Sequence, residues 1–141
     1  MRVLSNRAAE KGMELTNNYF DVTASKILIG DPYRLNQVML NLIGNAIKFT
    51  EQDSVDITLK VITNNELTQV LQFDIKDSGI GMEEKFVSHL FDKFSQEYES
   101  VSRKYCGTGL GMRISKNLAE LMGGKIFAKS IKGEGTCIFC T

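Results

Sequence analysis

Apolar residues recur with helical spacing in Asp31–Thr50, and this stretch predicts the longest helix of the chain. Asp31 is an N-cap residue and Pro32 suits the first helical position. At about 100° per residue, seven apolar side chains fall on one broad face, namely Leu35, Val38, Met39, Leu42, Ile43, Ala46 and Ile47. This face predicts a helix that packs against the core of the domain.

The opposite side of this helix carries a polar stripe that consists of Gln37, Asn41, Asn45 and Lys48. Core-facing helices usually carry Lys, Glu and Arg on the solvent side. Asparagine is a mediocre helix former, so two asparagines one turn apart are a poor choice for that purpose. From the helix alone, a solvated surface stripe and a functional stripe are both possible.

Shorter helices and strands surround this helix. The pattern predicts a helix end at Arg2–Lys11 closed by Gly12, strands at Met13–Phe20, Lys26–Ile29, Val55–Val61 and Leu67–Lys76, helices at Glu83–Leu90 and Ile114–Met122, and a last hairpin of Lys125–Ile131 and Gly135–Thr141. The elements do not alternate as in a doubly wound sheet. They therefore predict an α+β fold, a two-layer α/β sandwich whose mixed, largely antiparallel sheet has helices on one face.

Composition excludes several classes of function. The 141 residues suit one domain, and 17 basic residues balance 17 acidic ones, which gives no electrostatic case for nucleic acid or an anionic membrane as partner. No apolar run approaches the roughly 20 residues that a bilayer requires, and no signal peptide is visible. Three cysteines suit a reducing cytosol. Cys137 and Cys140 lie in a predicted strand and should face opposite sides, which argues against a metal or redox pair.

Two glycine clusters are the main candidates for chemistry, DSGIGM at Asp77–Met82 and GTGLGM at Gly107–Met112. Glycine permits close backbone approach, and loop N–H groups can cradle phosphate oxygens. The spacing matches neither the dinucleotide fingerprint nor the P-loop, and the eukaryotic protein-kinase signatures are absent. The glycine clusters therefore remain candidates for a nucleotide-binding site of another design.

Other residues of the chain suit such a site. The second glycine cluster leads into a helix whose N-terminus favours anions. Asp77 ends a strand beside glycines, where its carboxylate can accept a hydrogen bond from an exocyclic amine of a base. Asn45 offers a neutral oxygen to Mg²⁺, which binds phosphates and keeps several waters.

Four motifs in order resemble the ATP-binding (catalytic) domain of sensor histidine kinases, and hybrid sensor kinases in particular. Asp31–Thr50 resembles the N box, DSGIGM the G1 box, FDKFSQ at Phe91–Gln96 the F box, and GTGLGM the G2 box. The resemblance extends over nearly the whole chain. It implies the Bergerat-type ATP-binding fold of the gyrase, chaperone, histidine-kinase and mismatch-repair ATPase superfamily.

The resemblance implies a role for each motif residue. Asn45 would coordinate Mg²⁺ that bridges the phosphates, while Asn41 and Lys48 would act on the phosphates or support the metal as catalytic residues. Asp77 would receive the adenine amine, and Thr136 would help to hold the base. The remaining nucleotide-binding residues would be Phe49, Gly79, Gly81, Met82, Gly107, Thr108, Gly109, Leu110 and Gly111, with a lid formed by Ser95–Cys106 and anchored by Phe91 and Phe94.

The implied function is transfer of the γ-phosphoryl group of Mg-ATP to a histidine on a separate dimerisation domain. Residues 1–12 would be the end of a helix leading in from that domain, and residues 13–141 the ATP-binding domain. A response regulator or receiver domain would be served indirectly, and the location would be cytoplasmic. His89 is the single histidine, and Leu90 follows it where the family places an acidic residue after its acceptor. We therefore expect His89 to be a surface residue.

Two alternatives remain open. An ATPase switch of the same fold places a glutamate one helical turn before the metal-binding asparagine, to activate water. Here that position is Asn41, so the attacking nucleophile must bring its own base. A nucleotide-sensing module without catalysis is disfavoured by Asn45, Asp77 and the glycines but is not excluded by them.

Overall fold

The computed structural model describes residues 2–18, 23–25, 27–51, 53–92 and 110–141. In these ranges helices pack on a five-stranded sheet. The elements are α1 (Arg2–Glu10), β1 (Glu14–Asn18), α2 (Pro32–Phe49), β2 (Ser54–Asn64), β3 (Gln69–Asp77), α3 (Glu84–Val87), α4 (Gly111–Leu121), β4 (Ile126–Ile131) and β5 (Gly135–Cys140). None of the helices in these ranges combines the length and the apolar character that a membrane crossing requires.

The sheet has the strand order β1-β2-β3-β5-β4, with β3 at its centre. β1 pairs with β2 in parallel, and the other three ladders are antiparallel. The predicted mixed, largely antiparallel sheet is thereby confirmed, and so are both hairpins. The β3–β5 ladder brings Asp77 opposite Thr136, two residues that are far apart in sequence.

The core lies between α2 and one face of the sheet. On the sheet side, Ile57, Ile75 and Ile138 stand opposite one another on three neighbouring strands and are almost fully buried. Burial of such a side chain is worth about 1.5–3 kcal/mol. Cys140 is buried in this core, whereas Cys137 is half-buried on the other face, as the strand pattern predicts. The predicted apolar face of α2 supplies the opposite layer, with Val38, Leu42, Ile43, Ala46 and Ile47 buried.

The ends of α2 follow the sequence signals. The Asp31 side chain accepts hydrogen bonds from the backbone N–H groups of Tyr33 and Arg34, at 3.1 and 3.0 Å, and Pro32 begins the helix. At the other end, both the N–H and the hydroxyl of Thr50 donate to the carbonyl of Ala46. These contacts satisfy backbone groups that a helix terminus otherwise leaves unpaired.

The lysine that follows α1 also holds the C-terminal end of α2. Lys11 Nζ donates to the carbonyl oxygens of Ile47, Lys48 and Thr50, at 2.8, 3.2 and 3.1 Å. Lys11 reaches this place because α1 ends at Gly12, which adopts the predicted left-handed conformation at φ 68°. A positive charge also suits the negative end of the helix dipole.

Two predicted elements differ from the structure. The predicted strand at Lys26–Ile29 is wrong for its described part, because Ile27–Ile29 form no ladder and Ile29 is fully exposed. An apolar run becomes a strand only when a neighbouring strand supplies hydrogen bonds, and Ile27–Ile29 pair with none of the five strands. The predicted helix at Glu83–Leu90 shortens to Glu84–Val87, followed by turns, because its N-cap Glu83 makes no capping hydrogen bond and its carboxylate accepts from Lys132 Nζ at 2.6 Å.

Candidate functional site

Helix α4 covers the polar stripe of α2. The Asn41 side-chain amide donates to Ser115 Oγ at 2.7 Å, and the Asn45 amide donates to Met112 Sδ at 3.1 Å. Both asparagines are half-buried. This part of the stripe is therefore a helix–helix contact with polar partners, and the interpretation as a solvated surface is wrong for it.

Gly111, the first residue of α4, permits this close approach. A Cβ atom at this position would lie 2.4 Å from Asn41 Oδ1, well inside van der Waals contact. Any larger residue would push the Asn41 side chain away from Ser115. The glycine that the sequence predicts to enclose phosphates thus also sets the distance between α4 and the stripe.

Asn45 has an oxygen available for a cation. Its amide nitrogen is engaged by Met112, and its Oδ1 accepts no hydrogen bond from any described residue. Lys48 and Phe49 follow on the last turn, with Lys48 Nζ 5.0 Å from the centre of the Phe49 ring. Within the described ranges no group of three or more His, Cys, Asp or Glu side chains could hold a metal. The amide oxygen of Asn45 fits Mg²⁺, which binds mainly phosphate oxygens and takes few ligands from the protein.

Asp77 lies at the end of β3 in a row of polar side chains. The strand register sets Asp77 opposite Thr136, and Thr136 opposite Ser130. Asp77 Oδ1 accepts hydrogen bonds from the N–H groups of Gly79 and Thr136, at 2.9 and 3.3 Å. Its Oδ2 accepts none from the described residues. The carboxylate therefore has one anchored oxygen and one that remains for a ligand.

Burial shapes the electrostatics of this carboxylate, because only 7% of the residue is exposed. Burial raises the pKa of Asp77 above its ordinary value, and the N–H groups of Gly79 and Thr136 offset part of that rise. A buried carboxylate with an unused oxygen gains from any ligand that donates a hydrogen bond to it.

The loop after Asp77 is held between α2 and the β4–β5 turn. A Cβ atom at Gly79 would lie 2.5 Å from the Phe49 carbonyl oxygen, and one at Gly81 would lie 1.9 Å from that of Ile131. Gly81 also has φ 60°, which favours glycine. The N–H of Ile80 donates to the Phe49 carbonyl at 3.3 Å. The G1-like glycines thus place this loop against the end of the helix that carries Asn45.

Ser130 is a residue of this region that the sequence interpretation missed. Its Oγ accepts a hydrogen bond from the N–H of Met82 at 2.8 Å. The same hydroxyl lies 2.9 Å from the carbonyl oxygen of Gly135 and 2.9 Å from Thr136 Oγ1. A usable signal was present, since Ser130 continues the inward-facing alternation of Ile126 and Ala128 with a polar residue.

The described residues include only part of the predicted phosphate loop and lid. Leu110 is half-buried at the start of α4, and Phe91 packs against the core. His89 is exposed, as expected, with Nδ1 2.9 Å from Asp92 Oδ2. Several predicted residues lie outside the described ranges, namely Gly107, Thr108, Gly109, Phe94 and Ser95–Cys106.

Comparison with known proteins gives consistent matches. Residues 30–141 match the family described as histidine kinase-, DNA gyrase B-, and HSP90-like ATPase. The chain is 39% identical over 136 residues to hybrid signal transduction histidine kinase B of Dictyostelium discoideum, covering 96% of this chain and 7% of that protein. It is 40% identical over 134 residues to signal transduction histidine-protein kinase BarA of Escherichia coli (strain K12), covering 95% of this chain and 14% of that protein.

A solved structure agrees with these matches. The crystal structure of full-length ShkA in complex with AMPPNP superposes with a TM-score of 0.80 and 31% sequence identity, covering 98% of this chain and 27% of that one. The chain thus spans a small part of each of these three proteins.

Proposed function

Because this chain belongs to the family of histidine kinase-, DNA gyrase B-, and HSP90-like ATPases, we propose that it is the ATP-binding catalytic domain of a sensor histidine kinase. In this role it binds Mg-ATP and presents the γ-phosphate to a histidine on a separate dimerisation domain. The observation that supports this function best is the Asp77 carboxylate, buried at one end of a glycine loop that contacts the helix carrying Asn45.

The base is recognised by Asp77. Oδ1 is fixed by two backbone N–H groups, so Oδ2 is the oxygen that accepts the exocyclic amine of adenine. Guanine has a keto oxygen at the corresponding position, which would face the carboxylate without a proton between them. A buried pair of unsatisfied oxygens costs about 1–3 kcal/mol, so the site selects adenine over guanine.

The phosphates are held at the other end. Asn45 Oδ1 would be a protein ligand of Mg²⁺, which would supply charge neutralisation for the phosphates. Lys48 on the same turn, and the N-terminus of α4 after the Gly107–Gly111 sequence, add positive potential. Asn41 holds α4 through Ser115 and supports this arrangement. AMPPNP, the ligand in the ShkA structure, is an analogue of ATP.

Phosphoryl transfer to another protein group fits the site better than hydrolysis. Asn41 stands where an ATPase switch requires a carboxylate, and an amide cannot take a proton from water. The nucleophile must therefore approach in line from outside this chain. The two relatives are named histidine kinases, which supports a histidine as the acceptor.

The surrounding organisation is proposed on the same basis. Residues 1–12 lead in from the dimerisation and phosphoacceptor domain, and residues 13–141 form the catalytic unit. A receiver domain or response regulator takes the phosphoryl group in a later step, in the cytoplasm. Within the described part of the chain, the single exposed histidine, His89, is paired with Asp92 and is not proposed as the acceptor.

Two measurements test the function. Calorimetry of the purified chain should show ADP binding that requires adenine and strengthens with Mg²⁺, with GDP much weaker. Labelled ATP should leave the chain alone unlabelled, while a sensor-kinase dimerisation domain added in trans becomes labelled with acid-labile phosphate. Acid-labile labelling of the isolated chain that disappears in His89→Ala would overturn the proposed acceptor. Binding without any transfer would favour the nucleotide-sensing module instead.

A further inference from the structure

We propose that Ser130 is a positioning residue of the adenine pocket, which fixes the Gly79–Met82 loop relative to Asp77. This role rests on the nucleotide-binding function proposed above. The Ser130 side chain is not expected to touch the nucleotide. It determines where the loop lies, and thereby the space in which the base meets Asp77.

The strand register places Ser130 beside the pocket. Asp77, Thr136 and Ser130 occupy directly opposed positions on β3, β5 and β4. Along β4 the residues alternate between a more buried and an exposed side, and Ser130 lies on the more buried side. The Ser130 hydroxyl is thus the third polar group of a row that begins with the Asp77 carboxylate and continues through Thr136.

Hydrogen bonds join this row to both ends of the loop. At the first end, the N–H of Gly79 donates to Asp77 Oδ1 at 2.9 Å. At the other end, the N–H of Met82 donates to Ser130 Oγ at 2.8 Å. Thr136 connects the two anchors, because its N–H reaches Asp77 Oδ1 and its hydroxyl lies 2.9 Å from Ser130 Oγ.

The number of protons supports a single arrangement of this network. Ser130 has one hydroxyl proton, and the Gly135 carbonyl at 2.9 Å can only accept it. Ser130 Oγ then accepts from both Met82 and the Thr136 hydroxyl. The proton of Thr136 is therefore committed to Ser130, and the lone pairs of Thr136 Oγ1 remain available for a donor in the pocket.

Alanine at position 130 would release the Met82 end of the loop while the Gly79 end stays anchored on Asp77. The loop would then sample several positions, and part of the binding free energy of the base would be spent on ordering it. We expect Ser130→Ala to weaken ADP and adenosine binding about tenfold. Binding of Mg-tripolyphosphate, which has phosphates but no base, should not change.

The test compares four proteins by calorimetry, with unfolding in urea as the measure of stability. Ser130→Thr keeps the hydroxyl on a β-branched residue that suits a strand and should restore adenosine affinity. Ser88→Ala removes an exposed hydroxyl from the turn after α3 and is the matched control. If Ser130→Ala does not fold, Ser130→Cys replaces it, since a thiol fills the space but is a weak acceptor.

The outcomes are distinct. Adenine-specific weakening that Ser130→Thr restores supports the positioning role. Unchanged adenosine affinity in Ser130→Ala, or an equal loss for Mg-tripolyphosphate, overturns it while the proposed function stands. Absence of ADP binding by the wild-type chain would overturn the proposed function and this role together.

Discussion

At the scale of single residues, the Asp77 carboxylate is the group whose chemistry is most constrained. It is buried, and the described residues supply hydrogen bonds to one of its two oxygens only. Substitution by asparagine keeps the shape of the side chain but replaces one acceptor oxygen by a donor. The NH₂ group of Asp77→Asn would face either the backbone N–H groups or the amine of adenine, and neither accepts a proton.

We therefore expect Asp77→Asn to weaken ADP binding by about 1–3 kcal/mol. Calorimetry of the wild type and the variant gives this difference directly, and unfolding in urea separates it from a loss of stability. Equal ADP affinity in the two proteins would show that the base does not meet this carboxylate.

The raised pKa of Asp77 gives a second prediction, in which stability and adenosine affinity change with pH in opposite directions. In the folded apo protein the proton is held more tightly than in the unfolded chain, so stability falls as the pH rises from the ordinary carboxyl value through the raised pKa. The amine of adenine requires the ionised form, so adenosine affinity should rise with pH over the same interval. Adenosine avoids the titration of a terminal phosphate. Calorimetry from mildly acid to neutral pH measures the adenosine affinity, which should not change with pH in Asp77→Asn.

Asn45 gives a prediction about the metal. Asn45→Ala removes the oxygen proposed for Mg²⁺ and leaves the base pocket intact. ATP affinity should then depend much less on Mg²⁺, while adenosine affinity stays at the wild-type level. Titrations with Mg²⁺ and with a chelator measure this difference. A wild-type response to Mg²⁺ in the variant would exclude Asn45 as the ligand.

At the scale of elements, α1 and α2 are joined at their C-terminal ends by Lys11. The ammonium group donates to three carbonyls that have no partner within the helix. Lys11→Met keeps much of the aliphatic chain and removes these bonds. We expect it to lower the free energy of unfolding by about 1–2 kcal/mol, given the usual worth of charged hydrogen bonds and of the helix dipole. Urea denaturation measures this loss, and Lys11→Arg should recover part of it.

Elements could be predicted wherever one local signal determined them. The apolar stripe of α2, its Asp31-Pro32 start and the turn at Gly12 are such signals, and each is confirmed. Ile27–Ile29 have the composition of a strand but not its structure, because strand formation depends on a partner that the local sequence does not contain.

In the candidate site, too, residues marked by a local signal were predicted, and residues whose role depends on contacts distant in sequence were missed. Asp77, Thr136 and the glycines stood out because a motif or a conformational requirement marks them. Ser130 was missed because its importance arises from the pairing of β4 with β5 and from the loop packed above them. The cover that α4 provides over Asn41 and Asn45 likewise depends on the packing of two helices distant in sequence, although Gly111 was marked by its motif. The roles of these residues toward nucleotide stay predictions.

At the scale of the whole molecule, the pocket is assembled from segments that are distant in sequence. The loop after β3 contacts the end of α2 on one side and the β4–β5 hairpin on the other. The formal net charge is zero, so we expect the proposed adenine recognition to rest on local groups and not on a general electrostatic field. Selectivity between nucleotides should therefore change little with ionic strength.

The β3–β5 ladder has a consequence for the order of folding. It pairs Asp77 with Thr136 across 59 positions, and such a long loop is entropically costly to close. We expect the β2–β3 hairpin to form early and this ladder to form after the rate-limiting barrier. Nucleotide can bind only once the ladder exists, so it stabilises the native state and not the transition state. Saturating ADP should slow unfolding in stopped-flow denaturation and leave the refolding rate unchanged. Faster refolding with ADP would mean that the two halves of the pocket meet before the barrier is crossed.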